Sequence, residues 1–254
     1  MQVPRSKLFL SGDCLDQLQD AMQSKPDALS IDLEDGVAAP HKVYTRESVA
    51  NFLRTNRLPC QVWVRVNGLS SSHLVSDILA LTGTHVDLIN LPKAESASDI
   101  QVLDQLLSHI EAVEGKGRRI RIVPTIESAR GLRQAVQIGL ASPRVLALQL
   151  GAGDLAMSTG IDRSGNGLDF MRASISLAAA EAGLVALDST PHGMNDLASF
   201  EADAWKARSF GLRGKSCMLP AQVSLANRIF GEAKTADHLD RSNGLEERSL
   251  ASQC

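Results

Sequence analysis

Short apolar runs recur along the chain, each followed by a longer stretch in which apolar residues return every three or four positions. The runs read KLFLS (7–11), ALSIDLE (28–34), VWVRVN (62–67), DLINLP (87–92), IRIVPTIE (120–127), VLALQL (145–150), LVALD (184–188) and KSCML (215–219). They predict eight strands, nearly continuous in apolar residues, as expected for a parallel sheet buried on both faces. Helical periodicity predicts intervening helices at Leu15–Met22, Thr45–Thr55, Ser98–Glu114, Gly131–Gly139, Asp169–Ala182, Asn195–Phe210 and Ala221–Phe230.

Strand followed by helix, eight times over about 220 residues, predicts an α/β protein of the TIM (β/α)8 barrel type. The rival is a doubly wound open sheet. Its dinucleotide fingerprint would follow the first strand, where the sequence LSGDCLDQ carries a single glycine. The barrel is expected to span residues 1–230 as one domain. From Gly231 the sequence GEAKTADHLDRSNGLEERSLASQC loses its apolar period, which predicts a polar, disordered tail over 231–254.

Composition narrows the classes of function. At 44% hydrophobic and 22% charged, the chain has the make-up of a soluble globular protein. A formal net charge of −3 supplies no field for nucleic acid, and 4% aromatic residues leave little for base stacking. The basic cluster Lys116, Arg118, Arg119 and Arg121 reads as a solvated helix end. Cys14, Cys60, Cys217 and Cys254 contain no C-x-x-C pair, which argues against a zinc site or disulfide framework and favours a reducing, cytoplasmic setting. No apolar run is long enough to span a membrane, and MQVPRSKLFL lacks the apolar core of a signal peptide.

The carboxyl ends of the predicted strands are rich in charge: Asp32, Glu34 and Asp35 after strand two, Arg65 and Asn67 at three, Lys93 at four, Glu127 at five, Asp154 at six and Asp188 at seven. That is the end at which barrels of this type place their chemistry. Glu127 and Asp154 leave adjacent strands, and two hard carboxylates with room for water suit Mg²⁺. The alternative at each is a helix cap. In LQLGAGD (148–154), Gly151 and Gly153 would let backbone amides approach an anion, together with Ala152, although the stretch lacks the ending of a phosphate loop. Arg65, inside an apolar strand, needs a partner: either a structural one in Glu34 or Asp35, or an oxyanion that develops during reaction. His192, after strand seven, is a candidate acid or base, with a solvent-exposed histidine as the alternative.

Taken together, RSKLFLSGD, IDLEDGV followed by Lys42 and Arg46, VRVN, LPKAES, PTIESARGL, LGAGDLAMSTG, LDS and GLRGKSCMLPAQ resemble the citrate lyase beta-subunit family, related to the metal-dependent 2-oxo-acid aldolases. The likeness runs from about Arg5 to Phe230. It implies a TIM barrel that binds Mg²⁺ through Glu127 and Asp154, directs Arg65 at the substrate oxygen of the reacting bond, and holds the substrate carboxylate on the amides of Gly151, Ala152 and Gly153. Glu34, Asp35 and Lys93 would support them. The implied reaction cleaves or forms a carbon–carbon bond in a 3-hydroxyacyl thioester such as citramalyl-, malyl- or citryl-CoA, giving an acyl-CoA and a 2-oxo acid, in a homotrimer or hexamer. Three departures stand out: Asp16 lies near the basic residue that would meet the CoA phosphates, Met218-Leu219-Pro220 replaces isoleucine-histidine-proline, and no family lid is recognisable after Phe230, where Asp237 and Asp240 are the nearby acids. A CoA-independent 2-oxo-acid aldolase using His41, a thioester hydrolase and a non-catalytic metal-binding barrel are the alternatives.

Overall fold

The computed structural model describes residues 1–114, 119–162, 166–190 and 194–231. His192, Asp237, Asp240 and the expected tail beyond Gly231 lie outside them. Eight parallel strands are present: β1 Ser6–Ser11, β2 Ala28–Asp32, β3 Gln61–Arg65, β4 Leu88–Leu91, β5 Arg121–Ile126, β6 Leu148–Leu150, β7 Ala186–Leu187 and β8 Lys215–Cys217. Each lies within or next to a run expected from the sequence. Neighbours in the sheet follow chain order from β7 back to β1, and β8 joins β1. A parallel bridge between Asp188 and Lys215 brings the free edges of β7 and β8 together, so the sheet closes as a barrel.

The helices are α1 Leu18–Gln23, α2 Lys42–Thr55, α3 Leu74–Leu81, α4 Ala97–Glu114, α5 Ala129–Arg133, α6 Ala135–Leu140, α7 Ala152–Thr159, α8 Asn166–Glu181, α9 Leu197–Ser209 and α10 Pro220–Gly231. One, α3, was not expected: LVSDILAL is an almost wholly apolar run that offers little helical contrast. The helical turn expected after Asp154 is present as α7, but it starts inside the Gly-Ala-Gly-Asp stretch, so Asp154 lies in its first turn rather than before it.

Alternate residues of each strand enter the barrel, and they form layers. Ala28, Trp63, Leu88, Val123, Ala147 and Leu187 are buried together as an apolar plug. Two residues further along β3, β4, β5, β6 and after β7, the inward positions are Arg65, Asn90, Thr125, Gln149 and Ser189, which line a cavity. The plug fills the amino-terminal half of the barrel, and the polar layer above it opens toward the carboxyl ends of the strands. This change of chemistry between successive inward positions creates the site.

Asp188 has the opposite parity to Leu187, so its side chain leaves the barrel and enters the layer between sheet and helices. There Arg172 of α8 donates to both its oxygens, at 3.2 and 2.7 Å, and Lys215 of β8 also bonds to it. Asp203 of α9 completes the cluster, accepting from Arg172 at 2.8 Å and from Lys215 at 2.7 Å. Asp188 therefore belongs to the seam of the barrel and not to its mouth. Replacing it with alanine leaves two buried cations short of a partner. Asp188→Ala is expected to lose about 3–5 kcal/mol of stability in urea unfolding; a loss below about 1 kcal/mol would show that the seam does not depend on this charge.

Candidate active site

β2 ends at Asp32, whose buried carboxylate anchors the mouth. One oxygen accepts from Arg65 Nε at 2.7 Å and Glu34 N at 2.9 Å, the other from Arg65 Nη2 at 2.7 Å and Gly36 N at 2.7 Å. A Cβ on Gly36 would collide with that second oxygen, so the turn around the carboxylate needs glycine. Arg65 also pairs through Nη1 with Glu34 at 3.2 Å and lies over the Phe9 ring at 4.9 Å. Burial opposes its charge, but hydrogen bonds and charge from Asp32, with Glu34 and Glu127 behind, hold its pKa above the usual value. The expected partner Glu34 is thus present, but the principal one is Asp32, two residues earlier and facing the same way. Asp35 sits on the exposed rim, 3.5 Å from Lys93.

Lys93, just past β4, has a left-handed backbone with φ of 54°, strained for a residue with a side chain. The strained turn does two things. Its amide donates to Glu127 at 2.6 Å, and its ammonium donates to Glu34 at 2.6 Å. Glu34, between two cations, nevertheless has its pKa raised, because burial outweighs the pull of Arg65 and Lys93.

Glu127 follows β5 and is 6% exposed. It does not cap α5; Ser128 does, accepting from Gly131 N at 3.0 Å. The Glu127 carboxyl is pushed up to about 8, mainly by burial and further by the charges of Asp154 and Glu34, against the pull of the Lys93 amide. Gly151 explains how it fits: a Cβ there would lie 2.5 Å from Glu127 Cβ and 2.6 Å from its Oε2. The first glycine of the stretch makes room for the glutamate. Two of the amides expected to meet a substrate carboxylate are engaged, Gly151 N with Ile126 O at 2.9 Å and Ala152 N with Ser189 Oγ at 3.2 Å. Gly153 and Asp154 follow in the first turn of α7, where amides have no intrahelical partner.

Glu127, Asp154, Arg65, Gly151, Ala152 and Gly153 all line one cavity of about 130 Å³. Glu34, Asp35 and Lys93 stand beside it. His41 does not reach it; it lies in an exposed turn, 3.8 Å from Asp13. Among the described residues no cluster of three or more His, Cys, Asp or Glu forms a metal cage. The pair Glu127 and Asp154 is therefore a two-carboxylate donor set, which fits a hard cation that keeps waters and takes further oxygens from a ligand. Burial and the charges of Asp154 and Glu34, which act against the Glu127 charge, are what a bound cation would offset.

Lys7, on β1, also lines the cavity and was missed from sequence, as was its partner Gln149. A period-two reading of KLFLS and LQL, with Phe9 and Gly151 inward, would have turned both inward as well.

The fold and site together define a TIM-barrel enzyme with its polar constellation at the carboxyl mouth. Residues 5–220 match the model of the HpcH/HpaI aldolase/citrate lyase family, and the chain belongs to that family of carbon–carbon lyases. It is 32% identical to the citrate lyase subunit beta of Haemophilus influenzae, over 100% of this chain and 88% of the relative. To the L-malyl-CoA/beta-methylmalyl-CoA lyase of Rhodobacter capsulatus it is 30% identical, over 91% of this chain and 80% of the relative. The solved citrate lyase beta subunit of Mycobacterium tuberculosis, complexed with oxaloacetate and magnesium, superposes with a TM-score of 0.74 at 26% identity, covering 90% of this chain and 97% of that one.

Two predictions follow from the packing around Glu127 and Lys7. Gly151→Ala is expected to keep the fold and lose at least tenfold in affinity for a divalent cation, since its methyl group displaces Glu127; titration calorimetry with Mg²⁺ reads this, and unchanged affinity would refute it (about 1.4 kcal/mol is tenfold). Burial, with the charge of Arg65, pushes the Lys7 amine down to about 7 from 10.5. The unfolded chain holds that proton up to higher pH than the folded one does, so the cost to folding is full below about pH 7 and fades as pH rises toward 10.5. Lys7→Met should therefore raise the melting temperature near neutral pH, with a gain that shrinks by about pH 10. An equal shift at both pH values would argue against the buried charge as its cause.

Proposed function

We propose that this protein is a Mg²⁺-dependent lyase that cleaves or forms the carbon–carbon bond of a 3-hydroxyacyl-CoA, with an acyl-CoA and a 2-oxo acid on the other side of the reaction. The observation that carries the reading is the meeting of Glu127, Asp154 and Arg65 in one cavity. Relatives named for citrate lyase subunit beta and malyl-CoA lyase, and a solved relative holding oxaloacetate and magnesium, support it. On the family resemblance the protein is read as a homotrimer or hexamer, and on its widely spaced cysteines as cytoplasmic. Among the described residues no helix is long and apolar enough to cross a membrane.

Glu127 and Asp154 would hold Mg²⁺, which supplies Lewis acidity and a template for the carboxylate and carbonyl oxygens of the oxo acid. The first-turn amides of Gly153 and Asp154 point a helix amino terminus at that carboxylate. In the cleavage direction the 3-hydroxyl gives up its proton, the bond between C2 and C3 breaks, and its electron pair passes into the thioester as an enolate. Arg65 is fixed by Asp32 before substrate arrives, so its remaining N–H groups meet the developing oxyanion without reorganising. Protonation of the enolate carbon completes the acyl thioester. The plug beneath the polar layer closes the barrel floor to solvent. The CoA-independent aldolase is the second reading; the surface position of His41 weighs against it.

The test is release of 2-oxo acid from citramalyl-, malyl- and citryl-CoA with and without Mg²⁺. Glu127→Ala is expected to abolish Mg²⁺-dependent release. Arg65→Lys should fold normally and lose about 10²–10³ in kcat, because an ammonium cannot reproduce the planar fork held by Asp32. Release that survives both chelation and Glu127→Ala would sink the metal assignment, and near-parental turnover by Arg65→Lys would sink the oxyanion role.

A further inference from the structure

Buried cations in this protein follow a pattern. Arg65 pairs with Asp32 and Glu34, Arg144 with Asp104 and Glu111, and Arg172 and Lys215 share Asp188 and Asp203. Arg46, at the rim of α2, has Asp77 and Glu47. Lys7 breaks the pattern. It is 3% exposed, yet its Nζ has no carboxylate in ion-pair range among the described residues.

Its surroundings hold the amine in place without neutralising it. Nζ donates to Gln149 Oε1 at 2.8 Å. The orientation of that amide is fixed from the other side, since Nε2 donates to the carbonyls of Leu150, Leu187 and Asp188 at 3.1, 3.3 and 3.0 Å. The rings of Phe9 and Trp63 lie 5.8 and 5.4 Å from Nζ and offer their negative faces. An ammonium has three N–H donors, and Gln149 takes one. Lys7 lines the same cavity as Glu127, Gly153 and Asp154, above the apolar plug. A well-placed buried cation without a carboxylate, facing an open cavity, is completed by an anion from outside.

We propose that Lys7 is a specificity-determining residue that binds a second anionic group of the substrate, so that the site prefers a 2-oxo acid carrying a distal carboxylate over one with a neutral side chain. The proposal rests on the reading of Glu127 and Asp154 as the Mg²⁺–2-oxo-acid site: one carboxylate is held at the mouth and the other reaches inward to the floor. An oxo acid without the second carboxylate leaves Lys7 buried and unmatched. Sites built around a polar contact discriminate strongly against analogues that lack it for this reason. Arg65 has a different duty: its charge is already matched by Asp32 and Glu34, and its remaining N–H groups are those assigned to the reacting oxygen.

The experiment compares binding of freshly prepared oxaloacetate, pyruvate and glyoxylate, each with Mg²⁺, to the parent protein and to Lys7→Met by titration calorimetry. Methionine matches the length of the lysine stem and suits the aromatic surroundings, and far-UV circular dichroism checks the fold. The parent should prefer oxaloacetate. Lys7→Met should lose about tenfold or more in oxaloacetate affinity with pyruvate and glyoxylate unchanged or tighter, collapsing the preference. An oxaloacetate-to-pyruvate ratio equal in the two proteins would overturn the role of Lys7 while leaving the metal site standing. A parent protein that binds none of the three would overturn the 2-oxo-acid reading itself, and this role with it.

Discussion

The buried pair of Asp32 and Arg65 is the interaction on which the mouth of the barrel depends. A carboxylate with four donors, two from a guanidinium and two from backbone amides, is a rigid fixture. From it a line of charge runs through Arg65 to Glu34, from Glu34 to the ammonium of Lys93, and from the amide of Lys93 to Glu127. The ends of β2, β3, β4 and β5 are thereby held in register by side chains as well as by the sheet. No single link is strong in isolation. The carboxylates of Asp32, Glu34 and Glu127 are buried, although Lys93 itself stands exposed at the rim, and removing a partner leaves a buried charge with nowhere to go, so the set behaves as a unit.

Most of the architecture was legible in the sequence, because strands buried on both faces leave unbroken apolar runs and eight such runs are hard to arrange otherwise. The helix α3 was not legible, since its apolar residues are not confined to one stripe. At the site, Arg65, Glu127 and Asp154 declared themselves as charges at strand ends. Asp188 looked the same and is not part of the mouth; one residue of parity sends its side chain to the helices. Lys7 and Gln149 were hidden for the converse reason. They lie below the strand ends, inside runs that read as apolar, and only the three-dimensional layering shows that the barrel interior changes from hydrocarbon to polar at their level. The role of Gly151 was also out of reach, because the group that needs its bare Cα sits on the preceding strand.

Two neighbouring lysines show how differently one residue type can be used. Lys215 is held by two carboxylates and a backbone carbonyl and serves as a fastening. Lys7 is held by one amide oxygen and two aromatic rings, a setting that positions an amine while leaving its charge unsatisfied. The first arrangement favours the folded state, and the second works against it. Natural proteins keep such unfavourable groups where they act on something other than the fold.

The seam between β7 and β8 bears on how the chain reaches its final form. Sequential strands of the barrel can add to the growing sheet as synthesis proceeds, but the last edge has no neighbour until the eighth strand arrives. During that interval an incomplete barrel exposes a strand edge able to recruit another chain. In this protein the residues bordering that edge are Asp188 and, on the strand to come, Lys215, with Arg172 and Asp203 on the adjoining helices. Charged groups beside an open edge favour hydration over pairing with an apolar strand. When the correct strand docks, they neutralise one another and are buried. Asp188, Arg172 and Asp203 are the charges already at that edge, and Lys215 completes the set only when the eighth strand closes it.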